Sequence, residues 1–597
     1  MFHHAHQSSF GKCCILAVVM TVFGLFQLGS HAWAQGQSKK KPSFMTAPTP
    51  TGPSAGTPTG AAVPLGLVPH DQHNVPQQRV GPNIQVNAPQ QAFPNGLLGR
   101  SETSIATSPD GKQILVGFND AQGFCGPLFG VPCTSENPSG LSGYGFSTDG
   151  GRTFTDGGAP PNFDNVFTRG DPWMDRGGFD NKTFYYSNLS VDATTGDPLG
   201  ISVHRGHFGN GTFSFFDVHT MNAPNPGDAY DKDGFASAHD GSGAAYASVT
   251  NFIAECGQAA FGFGRPEVWR THNGGNTWQG PVVVAPDITF ITDPNNPQCG
   301  LTGTVQQATM PAIGPEGEVY VAWEAGPTFN PGPSSKATIM VSASFDGGKT
   351  FGKAVAAARI NSAFFNVPVG NNRSSLLDEP WIAVGAASDE GGREQSENPS
   401  HKSRIYVTFS SATGPVTPPG PVTCPSSLPP PNTCVAQSLV PEQVYITFSD
   451  DHGATWSKPA PLAPAPRGNM KRWWPVVKTE SGGSVDVVYL QSPESQSATD
   501  TCIMPLDSGD VRVGSAISLV DTYLVQSTDF GASFKAPTRV SSATSDWCTA
   551  ASDIFPNFGD YISAFDTKDH VFAAWGDGRN GIPDTFEAGT LDADKSK

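Results

Sequence analysis

Short stretches in which apolar residues alternate with small or polar ones recur along most of the chain. Each starts with a polar or charged residue, continues as an apolar strand, turns at a glycine and returns as a strand that ends near an aromatic residue. Alternation of this length predicts β-strands and therefore an all-β protein. The seven strand pairs are Ser104–Ala106 with Ile114–Phe118, Asp171–Met174 with Phe184–Tyr186, Gly234–Ala236 with Ala245–Ala247, Met310–Ile313 with Val319–Trp323, Pro380–Val384 with Ile405–Phe409, Trp474–Val477 with Val485–Tyr489, and Asp560–Ala564 with Val571–Trp575.

A second pattern, Ser-x-Asp-x-Gly-x-Thr-aromatic or a close variant, occurs five times, each time directly after a strand candidate. Its third positions are Asp149, Asn273, Asp346, Asp451 and Asp529. The side-chain oxygen at this position can accept hydrogen bonds from backbone N–H groups a few residues later, and the glycine permits a positive φ. Five interchangeable copies favour a structural role in turns over a catalytic or metal-binding role.

This phrase resembles the Asp-box, or bacterial neuraminidase repeat, of sialidase-like β-propellers. The resemblance implies that each box lies between the third and fourth strands of a blade, on the rim away from the active site. One strand pair per blade predicts seven blades, with six as the alternative because sialidase catalytic domains have six. The isolated segment Asn83–Asn87 is expected to supply a strand to the last blade and so close the ring.

Composition divides the 597 residues into four parts. Residues 1–34 combine a weakly basic head, the apolar stretch Ile15–Leu28 and the small-residue site Ala32–Ala34, as in a secretory signal peptide. Residues 35–80 are rich in Pro, Gly and Thr and are expected to form a flexible leader. The propeller is expected to span 81–592, followed by a tail at 593–597. No segment after the signal is apolar for long enough to span a membrane, so we expect a secreted or periplasmic monomer.

The cysteines fit an exported protein. Cleavage of the signal would leave eight of the ten, and an even number in an oxidising compartment predicts disulfides. Sequence proximity suggests the pairs Cys125–Cys133, Cys256–Cys299, Cys424–Cys434 and Cys502–Cys548. None of the eight shows the CxxC spacing of a zinc site, so neither a metal nor a cofactor is predicted.

The formal net charge of −18 disfavours nucleic acid or an anionic membrane as a partner. Only 15% of the residues are charged, so their recurrence where the first strand of each repeat begins is informative. In a propeller these starts surround one mouth of the central channel. The residues there are Arg100, Glu102, Arg169, Asp171, Asp228, Tyr230, Asp231, Gln306, Gln307, Asp378, Glu379, Lys471, Arg472, Asp560 and Tyr561.

The resemblance also implies roles for some of these residues. Sialidases bind the substrate carboxylate with three arginines, because guanidinium groups bind carboxylates in a bidentate manner. They use a tyrosine nucleophile activated by a glutamate, beside an aspartate acid. The candidates for the arginine triad are Arg100, Arg169 and Arg472. Those for catalysis are Tyr561 as nucleophile, Glu379 as its activator and Asp171 as acid. The predicted function is a secreted, exo-α-sialidase-like glycoside hydrolase that acts on a glycan or glycoconjugate.

Two alternatives remain open. A glycosidase of neutral polysaccharides needs only two carboxylates across the channel, and Asp171, Asp231, Glu379 and Asp560 could supply them. A non-catalytic propeller would instead use the same mouth to bind a glycan or a protein partner, with tryptophans such as Trp173 and Trp381 stacking on it.

Overall fold

The protein is described by a computed structural model. The structure describes residues 79–591 except 91–96, 124–139, 162–165, 193–197, 226–227, 254–263, 286–290, 293–300, 303–305, 327–335, 377, 387–402, 429–431, 480–482, 495–500, 515 and 568–569. The predicted signal peptide, nearly all of the leader and the C-terminal tail lie outside these residues, as do the predicted pairs Cys125–Cys133 and Cys256–Cys299. No helix in the described part is long and apolar enough to cross a membrane.

The described residues form strands and one short 3-10 helix, Ala121–Gly123, which confirms the predicted all-β class. The strands are β1 (Arg79–Val80), β2 (Ile84–Gln85), β3 (Arg100–Thr107), β4 (Ile114–Asp120), β5 (Ser142–Ser147), β6 (Thr155–Gly158), β7 (Val166–Thr168), β8 (Trp173–Gly177), β9 (Thr183–Asp192), β10 (Pro198–Gly209), β11 (Thr212–Asn222), β12 (Ala229–Ser237), β13 (Ala245–Phe252), β14 (Gly264–Thr271), β15 (Gln279–Val283), β16 (Ile291–Thr292), β17 (Leu301–Thr302), β18 (Gln306–Ile313), β19 (Val319–Ala325), β20 (Lys336–Ser344), β21 (Val355–Asn361), β22 (Trp381–Ala386), β23 (Ser403–Ala412), β24 (Pro421–Val422), β25 (Cys434–Ala436), β26 (Glu442–Ser449), β27 (Ala460–Pro461), β28 (Lys471–Thr479), β29 (Val485–Ser492), β30 (Cys502–Pro505), β31 (Val511–Gly514), β32 (Leu519–Ser527), β33 (Thr538–Arg539), β34 (Ser545–Asp546), β35 (Ser563–Asp566), β36 (His570–Asp577) and β37 (Asp584–Leu591).

Most strands belong to seven antiparallel sheets that follow one another along the chain. Sheet 1 is β3-β4-β5-β6, sheet 2 is β8-β9-β10-β11 with β7 also on β9, and sheet 3 is β12-β13-β14-β15. Sheet 4 is β18-β19-β20-β21, sheet 5 is β22-β23-β26-β27, and sheet 6 is β28-β29-β32-β33 with β34 on β32. Sheet 7 is β35-β36-β37, and β1 and β2 both pair with β37. The structure therefore confirms that an N-terminal segment completes the last sheet.

The first strands of these sheets contact one another in a closed order. β3 contacts β8, β8 contacts β12, and the series continues through β18, β22, β28 and β35 back to β3. Aromatic and branched apolar side chains fill the space between successive sheets. Trp323, Tyr406, Tyr489 and Trp575, for example, are almost wholly buried. Closing the series leaves no first strand with an unpacked side.

The five Asp-box phrases form turns between the third and fourth strands of sheets 1, 3, 4, 5 and 6, as predicted. In the third box, Asp346 Oδ1 accepts hydrogen bonds from the backbone N–H groups of Lys349 and Thr350, both at 2.9 Å, and from Ser344 Oγ at 2.8 Å. These donors, the Thr350 N–H first, lower the pKa of Asp346 to about 2. The box turns also touch the turns that follow the first strands, since Gly150 donates to Lys112 and Gly274 to Gly243.

Sheet 2 carries no full box. Its third and fourth strands are joined by the tight turn Asn210-Gly211, with both residues at positive φ (53° and 77°). Such a turn matches the right-handed twist of the two strands. The face of the ring that carries the box turns is called the box face below. The opposite face, where the first strands begin, is called the start face.

A smaller accessory sheet, β24-β25-β31-β30, is built from insertions between the second and third strands of sheets 5 and 6. Two of the predicted disulfides are present here. Cys424 bonds Cys434 within the first insertion, and Cys502 in β30 bonds Cys548 in the segment before β35. The accessory sheet thereby becomes covalently tied to the chain that leads into sheet 7.

Candidate active site

A β-bulge recurs near the start of the first strand in several sheets, and these bulges carry residues of the candidate site. In sheets 1, 3, 4 and 6 the pairing of the first and second strands shifts register at a bulge. One residue of each bulge has a left-handed backbone: Glu102 (φ 51°), Lys232 (49°), Ala308 (61°) and Trp474 (52°). Asp171, just before β8, adopts the same conformation (φ 51°). A left-handed backbone costs a non-glycine residue about 1–3 kcal/mol, and residues strained in this way cluster at active sites.

Side chains from five sheets meet here. The Lys232 ammonium pairs with Asp560 and lies 3.6 Å from Glu379 Oε1 and 3.9 Å from Asp171 Oδ2. Glu102 lies close enough to Asp171 for its charge to raise the pKa of Asp171. We call Glu102, Asp171, Lys232, Glu379 and Asp560 the axial cluster. Its members come from sheets 1, 2, 3, 5 and 7, so the ring brings together residues that are far apart in sequence.

Arg373 supplies a second cation. Its Nε donates to Asp560 Oδ1 at 3.1 Å and its Nη1 lies 3.5 Å from Asp507 Oδ2. The loop that carries Arg373 is fixed by the accessory sheet, because Arg512 on β31 donates to the carbonyl oxygens of Asn371 and Arg373. The insertions of sheets 5 and 6 therefore position a charged side chain against the axial cluster.

The carboxylates of the cluster have opposite protonation preferences. Burial alone would raise the pKa of Asp560, but Arg373 and Lys232 outweigh it and hold the pKa at about 2. Burial raises the pKa of Glu379 to about 8 despite Lys232, and the neighbouring Asp560 and Asp171 push it in the same direction. Burial, with Glu102 next, raises the pKa of Asp171 well above its ordinary value. The cluster thus shifts the pKa values of its carboxyl groups in opposite directions.

The cluster is enclosed but not sealed. The side chains of Glu379 and Asp171 are each 11% exposed, and that of Arg373 is 14% exposed. Beneath it, Lys232, Glu379, Trp474 and Tyr561 line a void of about 10 Å³, which is about the space of one water molecule. A ligand would therefore reach these groups from the start face and not from inside the ring.

Aromatic residues form the floor of the site. Tyr561 and Trp173 stack with ring centroids 4.4 Å apart, and Trp381 lies 5.2 Å from Trp173. The Tyr561 hydroxyl donates to the Pro172 carbonyl at 3.3 Å. Burial, and then the charges of Glu102 and Asp171, raise the pKa of Tyr561 well above its ordinary value. Its environment therefore favours the neutral phenol over an activated phenolate.

Two of the three arginines predicted to bind substrate contact other protein groups. Arg100 lies 3.3 Å from Asp120 and donates to Gln122. Arg472 donates to Gln491, Gln443 and the Pro464 carbonyl, all in sheets 5 and 6 or the segment between them.

Arg169 is different, because it is close enough to Asp171 and Asp231 for their charges to act on it. Burial lowers its pKa to about 10, against these two charges.

The two cations of the site, Lys232 and Arg373, were not among the residues predicted from the sequence. Lys232 follows Asp231 directly, and its sequence position matches that of Glu102, Asp171, Glu379 and Asp560 ahead of the apolar part of each first strand. Aligning the seven repeats residue by residue could have found it. Arg373 lies in a loop between sheets, and no repeat pattern marks it.

No group of three or more His, Cys, Asp or Glu residues suited to a metal ion occurs among the described residues.

Comparison with known proteins gives distant structural likenesses only. No protein-family model matches the sequence, and no curated protein matches it. The chain is similar to the GH93 α-L-arabinofuranosidase of Fusarium graminearum (13% identity, 73% of this chain and 97% of that one, TM-score 0.38). It is also similar to an α-L-arabinanase of Penicillium chrysogenum (13% identity, 74% of this chain and 98% of that one, TM-score 0.38). A third similar structure is a leech intramolecular trans-sialidase (10% identity, 68% of this chain and 67% of that one, TM-score 0.38). Likenesses this distant do not assign an activity to the chain.

Proposed function

We propose that the protein is a seven-bladed β-propeller with the activity of a glycoside hydrolase, and that the axial cluster is its catalytic centre. The observation that carries the proposal is the pair Glu379 and Asp560. Their surroundings raise the pKa of Glu379 and lower that of Asp560, and both side chains contact the Lys232 ammonium. Two carboxyl groups whose surroundings move their pKa values apart are what acid-assisted cleavage of a glycosidic bond requires.

In this proposal Glu379 donates its proton to the departing glycosidic oxygen. Asp560 faces the anomeric carbon as the ionised partner, and Lys232 and Arg373 keep it ionised. Because both carboxylates contact one ammonium, the two oxygens lie no more than about 6 Å apart, closer to the spacing of retaining enzymes than to that of inverting ones. We therefore propose that Asp560 attacks the anomeric carbon while the departing oxygen takes the Glu379 proton. Glu379 then removes a proton from a water molecule that hydrolyses the glycosyl–Asp560 ester, so Asp560 is released and the anomeric configuration is retained.

The proposed substrate is a neutral glycan. A sialidase needs three guanidinium groups around one substrate carboxylate, but Arg100 and Arg472 are engaged by other residues. Arg169 and Arg373 remain near the cluster, and acidic side chains act on both. The tryptophan floor and the buried acids suit sugar hydroxyls better than a second negative charge. Tyr561 is assigned to this floor and not to nucleophilic attack.

The proposed setting is outside the cytoplasm. The two disulfides favour an oxidising compartment. They agree with the signal peptide expected at residues 1–34, and an exported glycosidase would meet glycans there.

The test is hydrolysis of fluorogenic neutral glycosides and sialosides by the wild type and by Glu379→Gln and Asp560→Asn. We expect turnover of a neutral glycoside, with kcat lowered about 10²–10⁴-fold in each variant. Glu379→Gln copies the shape and charge of the protonated acid, so the fold should survive even if Asp560→Asn does not fold. Asp346→Asn is the matched control, because an amide already occupies the equivalent position of the second box at Asn273.

The outcomes distinguish a neutral glycosidase, a sialidase and a non-catalytic binding protein. Turnover of sialosides alone would favour a sialidase over the neutral glycosidase proposed here. A folded wild type without turnover on either class would leave the non-catalytic binding propeller. NMR spectra recorded early in the reaction identify which anomer of the product forms first, and this tests the proposed retention of configuration.

A further inference from the structure

A second cavity lies at the other end of the ring. It has a volume of about 910 Å³ and is lined by the ends of the first strands and the turns that follow them, including Ala238–Asp240 and Gly314–Pro315. These turns neighbour the box turns, so the cavity belongs to the box face. Its volume falls within the range of about 300–1,000 Å³ that is typical of small-molecule sites.

Aromatic side chains form much of the cavity wall. Trp173, Trp381, Phe235 and Phe565 all line it. The Lys478 ammonium, also in the wall, lies 5.3 Å from the Trp381 ring centroid and 5.6 Å from that of Phe565. Aromatic faces of this kind pack against the apolar C–H faces of sugar rings, while polar groups at their edges bind hydroxyls.

Polar groups are placed among these rings. His239, whose side chain is 44% exposed, lies 2.8 Å from Asp175 Oδ1, and the backbone N–H of Ser237 donates to Asp175 Oδ2. Within the part of the chain that the structure describes, the buried Ser563 Oγ and Trp173 Nε1 have no hydrogen-bond partner. A buried donor without a partner costs free energy, which a ligand hydroxyl could recover.

We propose that this box-face cavity is a second, non-catalytic binding site for a neutral saccharide of one or two rings. The lining acids Asp175, Asp240 and Asp566 outnumber the lining lysine, Lys478, which disfavours an anionic sugar. The mixture of aromatic faces, a carboxylate–imidazole pair and unpartnered donors matches the needs of a neutral ring. The site does not depend on hydrolysis at the start face. Trp173, Met310 and Trp381 line both cavities and so form the wall between them.

The test is calorimetric titration of the full chain with cellobiose and lactose as neutral probes and 3'-sialyllactose as the anionic comparator. It uses the Glu379→Gln background, so that hydrolysis cannot deplete the probe. Ser563→Ala and Lys478→Gln are added singly, and Lys112→Gln, an exposed lysine outside the cavity, is the control. We expect a neutral probe to bind with an affinity about tenfold weaker in each cavity variant and unchanged in the control.

Ser563→Ala separates a binding role from a structural one. Because Oγ has no partner in the free protein, its removal should leave the melting temperature unchanged or raise it while binding weakens. A lowered melting temperature with unchanged binding would overturn the assignment of Ser563. No binding of either neutral probe, or binding by both cavity variants as tight as that of the Glu379→Gln protein with an unaltered cavity, would overturn the site itself. Hydrolysis by Lys478→Gln with Glu379 intact is measured separately. Loss of binding without loss of hydrolysis concerns only the box-face site, and absence of hydrolysis in the wild type concerns only the proposed activity.

Discussion

Replacing Lys232 by Met should show how strongly the axial cluster depends on one cation. Lys232 is 9% exposed at its side chain and contacts three carboxylates that are between 5% and 11% exposed. Removing one partner of a buried ion pair destabilises by about 3–5 kcal/mol. Arg373 still pairs with Asp560 in the variant, so the loss should lie near the lower end of this range, about 3 kcal/mol. We therefore expect Lys232→Met to lower the free energy of unfolding by about that amount at pH 7.

The matched control is Lys112→Met. Lys112 lies 3.5 Å from Asp110, but the two side chains are 73% and 58% exposed. Water screens such a pair, and its loss should cost no more than about 1 kcal/mol. Both variants keep a long unbranched side chain, so the difference between them reports burial of the charge and not loss of packing.

The stability loss caused by Lys232→Met should depend on pH. The folded pKa of Asp560, about 2, lies below its ordinary value of 3.8, so its ion pairs stabilise the fold above pH 3.8 and are lost as pH falls through 2. The deficit of Lys232→Met should therefore be present at pH 7 and shrink at strongly acidic pH. It should grow above about pH 8, because wild-type Glu379 ionises there beside the Lys232 ammonium, whereas without that ammonium the pKa of Glu379 is higher and its ionisation is opposed. Guanidinium denaturation followed by tryptophan fluorescence measures this, and equal losses for the two lysine variants at pH 7 would refute the reasoning.

Three further predictions concern the proposed acid, the box turns and the disulfides. The kcat/KM of hydrolysis should fall as pH rises through about 8, because Glu379 loses its proton there; a rate that stays flat to pH 10 would exclude it as the acid. Asp346→Ala should cost about 1 kcal/mol, as loss of a comparable capping side chain does, without changing kcat; denaturation and rate assays check both. Breaking Cys502–Cys548 with serines should cost about 4 kcal/mol, against about 3 for Cys424–Cys434, since it closes 46 residues and not 10; the order of the two denaturation midpoints decides.

The parts of the fold that local pattern determines could be predicted from sequence. The box turns need only a carboxylate or amide oxygen, a glycine and a hydroxyl at fixed spacing, and the structure places all five between third and fourth strands. The union of the N-terminal segment with the last sheet followed from an isolated strand candidate and an incomplete final repeat. Cys424–Cys434 and Cys502–Cys548 followed from proximity in sequence.

The site was harder to predict, because its geometry depends on where side chains point. Asp171, Glu379 and Asp560 were expected at one channel mouth, and their contacts with Lys232 bring them together. Arg100 and Arg472 begin first strands in the same way, yet Arg100 bonds within its own sheet and Arg472 to its own and the preceding sheet. The position of Arg373 depends on contacts with the accessory sheet that span more than a hundred residues, which no local pattern encodes.

The union of β1 and β2 with β37 has a consequence for how the protein matures. Thr585 donates to Asn87 across 498 residues, so the earliest described strands have no partner until almost the whole chain has been made. Individual sheets can form as they emerge from the ribosome, but sheet 7 cannot be completed, and the ring cannot close, before β37 has been made. For the exported protein proposed above, the ring would therefore close only after the last strand has crossed the membrane.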